Sequence, residues 1–251
     1  MSNINPINTP HGLAEGLSGH VALITGGSRG IGKAIAHKLA ELGAGVAICG
    51  RDAKTLGSTA SELKKYSGHI LALQADVTNF TDVSRLVEAT EERLGPITIL
   101  VNNVGIGNPG FGPLQEKSES DWNQVLDTNL KSVFLASRAV VPLMIERRRG
   151  DIINVSSLAG KSVFAGGALY CASKWGLQGL SGCMAEDLRG FGIRVSVICP
   201  GSVFTDFSGR GPKEPSKVLT ANDVAHAVAM VALQGPQSFI SEVHLRPVGR
   251  P

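Results

Sequence analysis

Tyr170 and Lys174 stand four residues apart in a stretch whose pattern predicts a helix over 170–189. That spacing puts both side chains on one helix face, one turn apart. A phenol with a pKa of ~10 moves protons poorly at neutral pH, but a neighbouring ammonium favours its phenolate. The pair therefore reads as a proton donor or acceptor with its own cation. Ser157 closes Asn154-Val155-Ser156-Ser157 at the end of an expected strand, where its hydroxyl would meet the same site. Each has a plain structural alternative: a Tyr-x-x-x-Lys pair on an ordinary exposed helix face, and a serine that caps a turn. The chain has only two tyrosines, and Tyr170 opens a run of small residues, Cys171-Ala172-Ser173-Lys174-Trp175-Gly176.

A second cluster suits phosphate. Thr25-Gly26-Gly27-Ser28-Arg29-Gly30-Ile31-Gly32 lies between an expected first strand and first helix. Gly26 takes the turn, Gly30 lets backbone approach a phosphate, and Gly32 lets helix and strand pack closely; the helix N-terminus offers unpaired N–H groups to a pyrophosphate. A tight strand-to-helix turn needing glycine for structure alone is the competing reading. The second strand ends in Cys49-Gly50-Arg51, where an NAD site usually carries Asp or Glu for the ribose hydroxyls. Arg51 and Arg29 supply two guanidinium groups instead, which favours NADP(H) through its 2′-phosphate. Otherwise Arg51 is a solvated loop residue beside Asp52.

Positioning these groups requires alternating elements. Short β-branched runs at 21–25, 45–49, 70–74, 97–102, 152–156, 193–199 and 239–246 predict seven strands, several apolar throughout, as in the middle of a parallel sheet. Helical patterns occupy 31–42, 53–65, 81–94, 120–146, 170–189 and 221–233. The order implies an α/β fold: a single doubly wound, Rossmann-like parallel sheet flanked by helices on both faces. Residues 1–17 read as a loose arm and 18–251 as one dinucleotide-binding oxidoreductase domain. Segments 106–116 and 203–219 follow strands and are candidate site walls, with Phe111, Leu114, Phe204 and Phe207 making the pocket partly apolar. They carry no clustered charge that would demand a carboxylate or phosphate ester, although Arg210 or Lys213 could reach one.

Composition excludes several classes. The chain has 251 residues, 43% of them apolar, and a net charge of +3, too small to imply nucleic acid or an anionic membrane. Arg147-Arg148-Arg149 sits at an expected helix end, where cations complement the dipole. The 31 glycines among 251 residues, about 12%, exceed the usual ~7%, consistent with tight turns and backbone pressed on a ligand. Cys49, Cys171, Cys183 and Cys199 read as buried free thiols of a reducing, cytoplasmic compartment, with no metal-ligand spacing. No run approaches the ~18 apolar residues of a membrane span. No G-x-S-x-G elbow follows a strand, against a hydrolase.

Together the glycine turn, Asn102-Asn103-Val104-Gly105, Asn154-Val155-Ser156-Ser157, Tyr170-x-x-x-Lys174 and Pro200-Gly201-x-Val203-x-Thr205 resemble, in that order, the short-chain dehydrogenases/reductases. The likeness runs from about Leu17 to the C-terminus and is greatest to the 3-oxoacyl-(acyl-carrier-protein) reductase-like branch. It implies an NADPH-dependent enzyme in which Tyr170 is the general acid/base, Ser157 polarises a substrate carbonyl and Lys174 holds the nicotinamide ribose and lowers the tyrosine pKa. The family interval of thirteen residues before Tyr170 selects Ser157 over Ser156. Asn129 matches the asparagine that helps hold a proton-relay water. Asp76 and Val77 match the adenine-contacting pair, Asn103 the adenosine side, and Val203 and Thr205 the nicotinamide side. Gly26, Ser28, Arg29, Gly30, Ile31, Gly32, Arg51, Gly105, Pro200 and Gly201 complete the expected cofactor set.

The expected partner is a small carbonyl or alcohol. The alternatives are an NAD-dependent alcohol dehydrogenase of the same fold and a dinucleotide-binding regulator without turnover. Surplus apolar positions on 120–146 and 170–189 suggest a homo-oligomer, a dimer or tetramer, as the family often forms. The C-terminal Ser241-Glu242-Val243-His244-Leu245-Arg246-Pro247 departs from the family's common Val-Asp-Gly-Gly.

Overall fold

The computed structural model describes residues 16–66, 69–107, 109–205, 207, 214 and 217–249. Seven strands form one sheet: β1 (Val21–Ile24), β2 (Gly45–Gly50), β3 (Ile70–Gln74), β4 (Ile97–Asn102), β5 (Gly150–Val155), β6 (Ile193–Pro200) and β7 (Glu242–Leu245). Every pairing is parallel, and the order is β3-β2-β1-β4-β5-β6-β7. This is the doubly wound α/β architecture the pattern implies.

Helices α1 (Gly30–Glu41), α2 (Ala53–Leu63) and α7 (Ala221–Ala232) cover one face; α3 (Phe80–Leu94), α5 (Ser132–Arg147) and α6 (Ala168–Leu188) cover the other. Strand alternation feeds both layers. Ala22 and Ile24 of β1 enter the first core, and Val21 and Leu23 the second. Both faces being buried explains why the strands read as continuous apolar runs.

The helix expected over 120–146 is broken. It forms α4 (Glu119–Leu126), a π-turn over Asp127–Lys131, and then α5. Asn129 sits in the widened turn, and its carboxamide is clamped to the Ile106 backbone: Oδ1 accepts from Ile106 N at 2.7 Å, and Nδ2 donates to Ile106 O at 2.9 Å. A π-turn swings one side chain inward without ending the helix. The final strand is shorter than expected, because Gln234 Oε1 takes the Ile240 N–H at 2.7 Å before sheet pairing begins.

Two further expectations shift. Leu17, assigned to the arm, is fully buried and donates its N–H to Leu42 O, so the packed fold starts before residue 18; residues 1–15 lie outside the described residues. Cys183 is exposed on α6, whereas the other three cysteines are buried. No helix among the described residues is long and apolar enough to cross a membrane.

Chain direction reverses between β1, which continues outward to β2, and β4, which leads to β5. At such a switch point the loops leaving the strands' carboxyl ends diverge and open a crevice. A cleft of about 1540 Å³ lies there.

Candidate active site

The glycine turn leaves β1 and starts α1. Gly26 and Gly30 have φ of +67° and +54°, in the left-handed region that glycine enters without a Cβ clash. A Cβ on Gly30 would meet nothing closer than Thr205 Cγ2 at 3.7 Å, so this glycine borders open space. Gly32 differs: a Cβ there would lie 2.2 Å from Gly26 O, so it permits the helix to press on the turn. α2, α3, α4 and α7 begin on a side-chain acceptor from Asp52, Asn79, Ser118 and Thr220. α1 begins on Arg29 with no such bond and no acidic residue in its first turn. Its first N–H groups and positive dipole end face the cleft, as a phosphate requires.

Arg29 and Arg51 are exposed at this end of the cleft, with no ion pair among the described residues. A Cβ on Gly50 would lie 2.9 Å from Ser28 Oγ, so the glycine lets Ser28 of the turn sit close against the end of β2. Asp76 accepts from Thr78 N at 2.9 Å and Thr78 Oγ1 at 2.7 Å. Burial alone would raise its pKa, but these bonds and the charge of Arg51 hold it below the usual value. Asn103 ties β4 to the turn, its Nδ2 donating to Thr25 O at 3.0 Å.

At the other end, β5 delivers Ser157 and α6 delivers Tyr170 and Lys174. Ser157 does cap a turn, accepting from Ala159 N at 3.1 Å, yet its hydroxyl also stands beside the Tyr170 phenol and pulls its pKa down. Burial pushes the Tyr170 phenol up to about 12, against the opposing pull of Ser157. Burial pushes the Lys174 ammonium down to about 8. Lys174 Nζ donates to Val155 O at 3.1 Å, which anchors the buried cation to the end of β5. Neither residue belongs to an ordinary exposed helix face.

The sequence profile of the short chain dehydrogenases matches residues 20–215. The chain belongs to the short-chain dehydrogenase/reductase family. It is 36% identical over 234 residues to an uncharacterised oxidoreductase of Staphylococcus saprophyticus, covering 92% of this chain and 99% of the relative. To a 3-oxoacyl-[acyl-carrier-protein] reductase of Synechocystis it is 37% identical over 200 residues, 79% of this chain and 80% of that protein. A solved metagenomic short-chain oxidoreductase in complex with NADP superposes with a TM-score of 0.81 at 40% identity, covering 92% of this chain and 98% of that one.

In this short-chain dehydrogenase/reductase, Gly26, Ser28, Arg29, Gly30, Ile31, Arg51, Asp76, Val77, Asn103, Gly105, Ser157, Tyr170, Lys174, Pro200, Gly201, Val203 and Thr205 all line the cleft. Gly32 and Asn129 do not. Asn129 is fully buried, with Nδ2 also donating to Ser173 Oγ at 3.0 Å. Its carboxamide clamps the exit of β4 to α6 and does not itself line the cleft. Beside it, Gly176 gives the Leu130 side chain room against α6, since a Cβ there would lie 2.9 Å from Leu130 Cδ2.

Sequence reasoning missed two groups. Phe164 lines the cleft, its ring centre 6.0 Å from that of Phe111. Phe111 and Phe207 stand 5.2 and 6.0 Å from the Tyr170 ring, so aromatic side chains wall the tyrosine. Beneath the site, Asn102 Nδ2 donates to Asn154 Oδ1 at 2.9 Å, and Asn154 Nδ2 donates to Ser181 Oγ at 2.8 Å. The signal for this ladder was available: an asparagine inside each of two otherwise apolar strands. Arg210 and Lys213 lie outside the described residues.

Proposed function

We propose that the chain is an NADP(H)-dependent oxidoreductase that reduces a small carbonyl compound or oxidises the corresponding alcohol. The observation that carries this reading is the convergence of Ser157, Tyr170 and Lys174 at one end of a cleft whose other end is built for a phosphorylated dinucleotide. The uncapped α1 terminus, the open Gly30 position and the exposed Arg29 and Arg51 fit NADP(H), and the neighbour that holds NADP supports it. The bound nicotinamide supplies or accepts the hydride.

The chain's own residues do the rest. Ser157 donates a hydrogen bond to the carbonyl oxygen and fixes its place beside the Tyr170 hydroxyl. Tyr170, a phenol that burial keeps firmly protonated, gives its proton to that oxygen as negative charge develops. Lys174 then favours the phenolate left behind and holds the cofactor's ribose. Asn129 positions: it fixes the loop at Ile106 and, through Ser173, the turn of α6 that bears Tyr170. Phe111, Phe164 and Phe207 exclude water and favour a substrate that is apolar next to its carbonyl. A 3-oxoacyl-type substrate is one member of that class.

We further read the chain from Leu17 onward as one cytoplasmic domain that forms a homo-oligomer. Trp122, Phe134 and Trp175 on α4, α5 and α6 are about half exposed, a concentration of large apolar groups suited to a symmetric contact. Light scattering should show a dimer or tetramer of the 26.2 kDa chain. The decisive assay follows NADPH oxidation over a panel of aldehydes, ketones and 3-oxoacyl thioesters. Tight NADPH binding without turnover on any of them would identify a regulator, and equal use of NADH would overturn the cofactor assignment.

A further inference from the structure

The unusual C-terminal strand puts polar side chains where the sheet edge meets α6. Glu242 and His244 alternate on one face of β7, and register pairs His244 with Cys199 of β6. Cys199 Sγ lies 3.2 Å from Glu242 Oε1, and His244 Nε2 lies 3.1 Å from the same oxygen. One ligand atom from each of the three falls within 4.8 Å of the other two. Tetrahedral zinc, with bonds of about 2.0–2.3 Å, sets neighbouring ligand atoms about 3.3–3.7 Å apart. Two edges of such a tetrahedron's face, Cys199 to Glu242 and Glu242 to His244, are thus within a few tenths of an ångström of these spacings before any ion pulls the ligands in.

The chemistry of the set agrees with this geometry. Thiolate, imidazole and carboxylate are the three side-chain ligand types zinc takes, and one thiolate plus one carboxylate neutralise a divalent ion. The outer partners are present as well. Gln178 Nε2 donates to Cys199 Sγ at 3.1 Å and to Ser156 Oγ at 3.1 Å, orienting the sulfur and tying it to the residue before Ser157. The burial is graded. Cys199 is fully buried, while the His244 side chain is 44% exposed and gives an ion a path from solvent.

One group opposes an ion: Lys161 Nζ pairs with Glu242 Oε1 at 2.8 Å. Its side chain is 36% exposed and can leave for water, so ammonium and metal compete for one oxygen.

We propose that Cys199, Glu242 and His244 form a zinc(II) site, with water as the fourth ligand, that pins the edge strand β7 to β6 behind Ser157. Binding releases the thiol proton to solvent and displaces the Lys161 ammonium. No spacing in the sequence announces this site, because its ligands come from two strands that only the sheet brings together.

The test is equilibrium dialysis of the metal-stripped full chain against zinc chloride, with cobalt(II) as a coloured substitute. The wild type should take up one ion per chain and show a thiolate-to-cobalt charge-transfer band. At a free zinc concentration about 100 times the dissociation constant, its melting temperature should rise by roughly 5–10 °C. Cys199→Ser should abolish the band. His244→Gln, at an exposed position that spares the fold, should weaken binding by more than the about 10–100-fold that losing an outer-shell partner costs. Lys161→Met should bind tighter than the wild type. Absence of uptake by the wild type, or equal uptake by either ligand variant, overturns the proposal. A Lys161→Met affinity no higher than the wild type's overturns the placement of the ion at Glu242. Cys183→Ser, which removes the exposed thiol, should change nothing; loss of uptake there would assign the binding to the surface and overturn it too.

Discussion

Lys174 Nζ lies 5.9 Å from the centre of the Tyr170 ring, and both side chains are withdrawn from water on the same face of α6. Burial moves the two groups apart on the pH scale, the phenol up and the ammonium down. Both shifts favour the neutral forms. The acid is thereby kept protonated while its cation stays close to titrating, which suits a site that must pass a proton and then replace it.

Removing only the Tyr170 hydroxyl should separate chemistry from folding. Tyr170→Phe keeps the ring that packs against Phe111 and Phe207, so thermal stability and NADPH affinity should stay close to wild type. Turnover should fall by about 10²–10⁴-fold or more, the usual contribution of a positioned acid. Steady-state rates beside a fluorescence titration of NADPH would check this. A near wild-type rate would sink the mechanism.

Lys174 should cost stability while serving the reaction. Its folded pKa of about 8 lies below the ordinary 10.5, so at pH 7 the folded state carries a buried charge that the unfolded chain hydrates. The penalty is complete below about 8 and fades as pH rises toward 10.5. Lys174→Met removes the charge but also the bond to Val155 O, for a net gain of about 2 kcal/mol at pH 7. Urea unfolding without cofactor should show the variant more stable at pH 7, with the advantage shrinking by pH 10, while activity collapses. A less stable variant at pH 7 would refute this account of the lysine.

Cofactor choice rests on Arg51 and on the absence of an acid at Gly50. Arg51→Asp should weaken NADPH roughly ten- to hundredfold, the loss of one charge-assisted phosphate contact, and shift the kcat/KM ratio toward NADH. Unchanged discrimination would mean that Arg29 alone reads the phosphate.

The two glycines of the turn should fail differently. Gly32→Ala forces a methyl to 2.2 Å from Gly26 O and should destabilise the fold by about 1–3 kcal/mol or more. Gly30→Ala meets open space, so its left-handed backbone should cost only about 1–2 kcal/mol. Its methyl projects toward the phosphate cradle, so NADPH affinity should fall further than stability does. Paired denaturation and binding curves distinguish the two.

Much of this protein was legible in its sequence because the rules involved are local. Periodicity marked every strand and nearly every helix. The glycine turn announced its conformation, and Tyr170 and Lys174 announced a shared helix face. Other features depended on contacts across the fold. The break at Asn129 follows from a hydrogen bond to Ile106, twenty-three residues away, which no helical pattern contains. Leu17 is buried because Leu42 O takes its N–H, although its neighbours in sequence are those of a polar arm. Sequence placed Ser157 at a strand end; only packing set it against both the Ala159 N–H and the Tyr170 hydroxyl. Cys199, Glu242 and His244 meet because β6 and β7 lie side by side in register, a long-range pairing that spacing along the chain cannot encode.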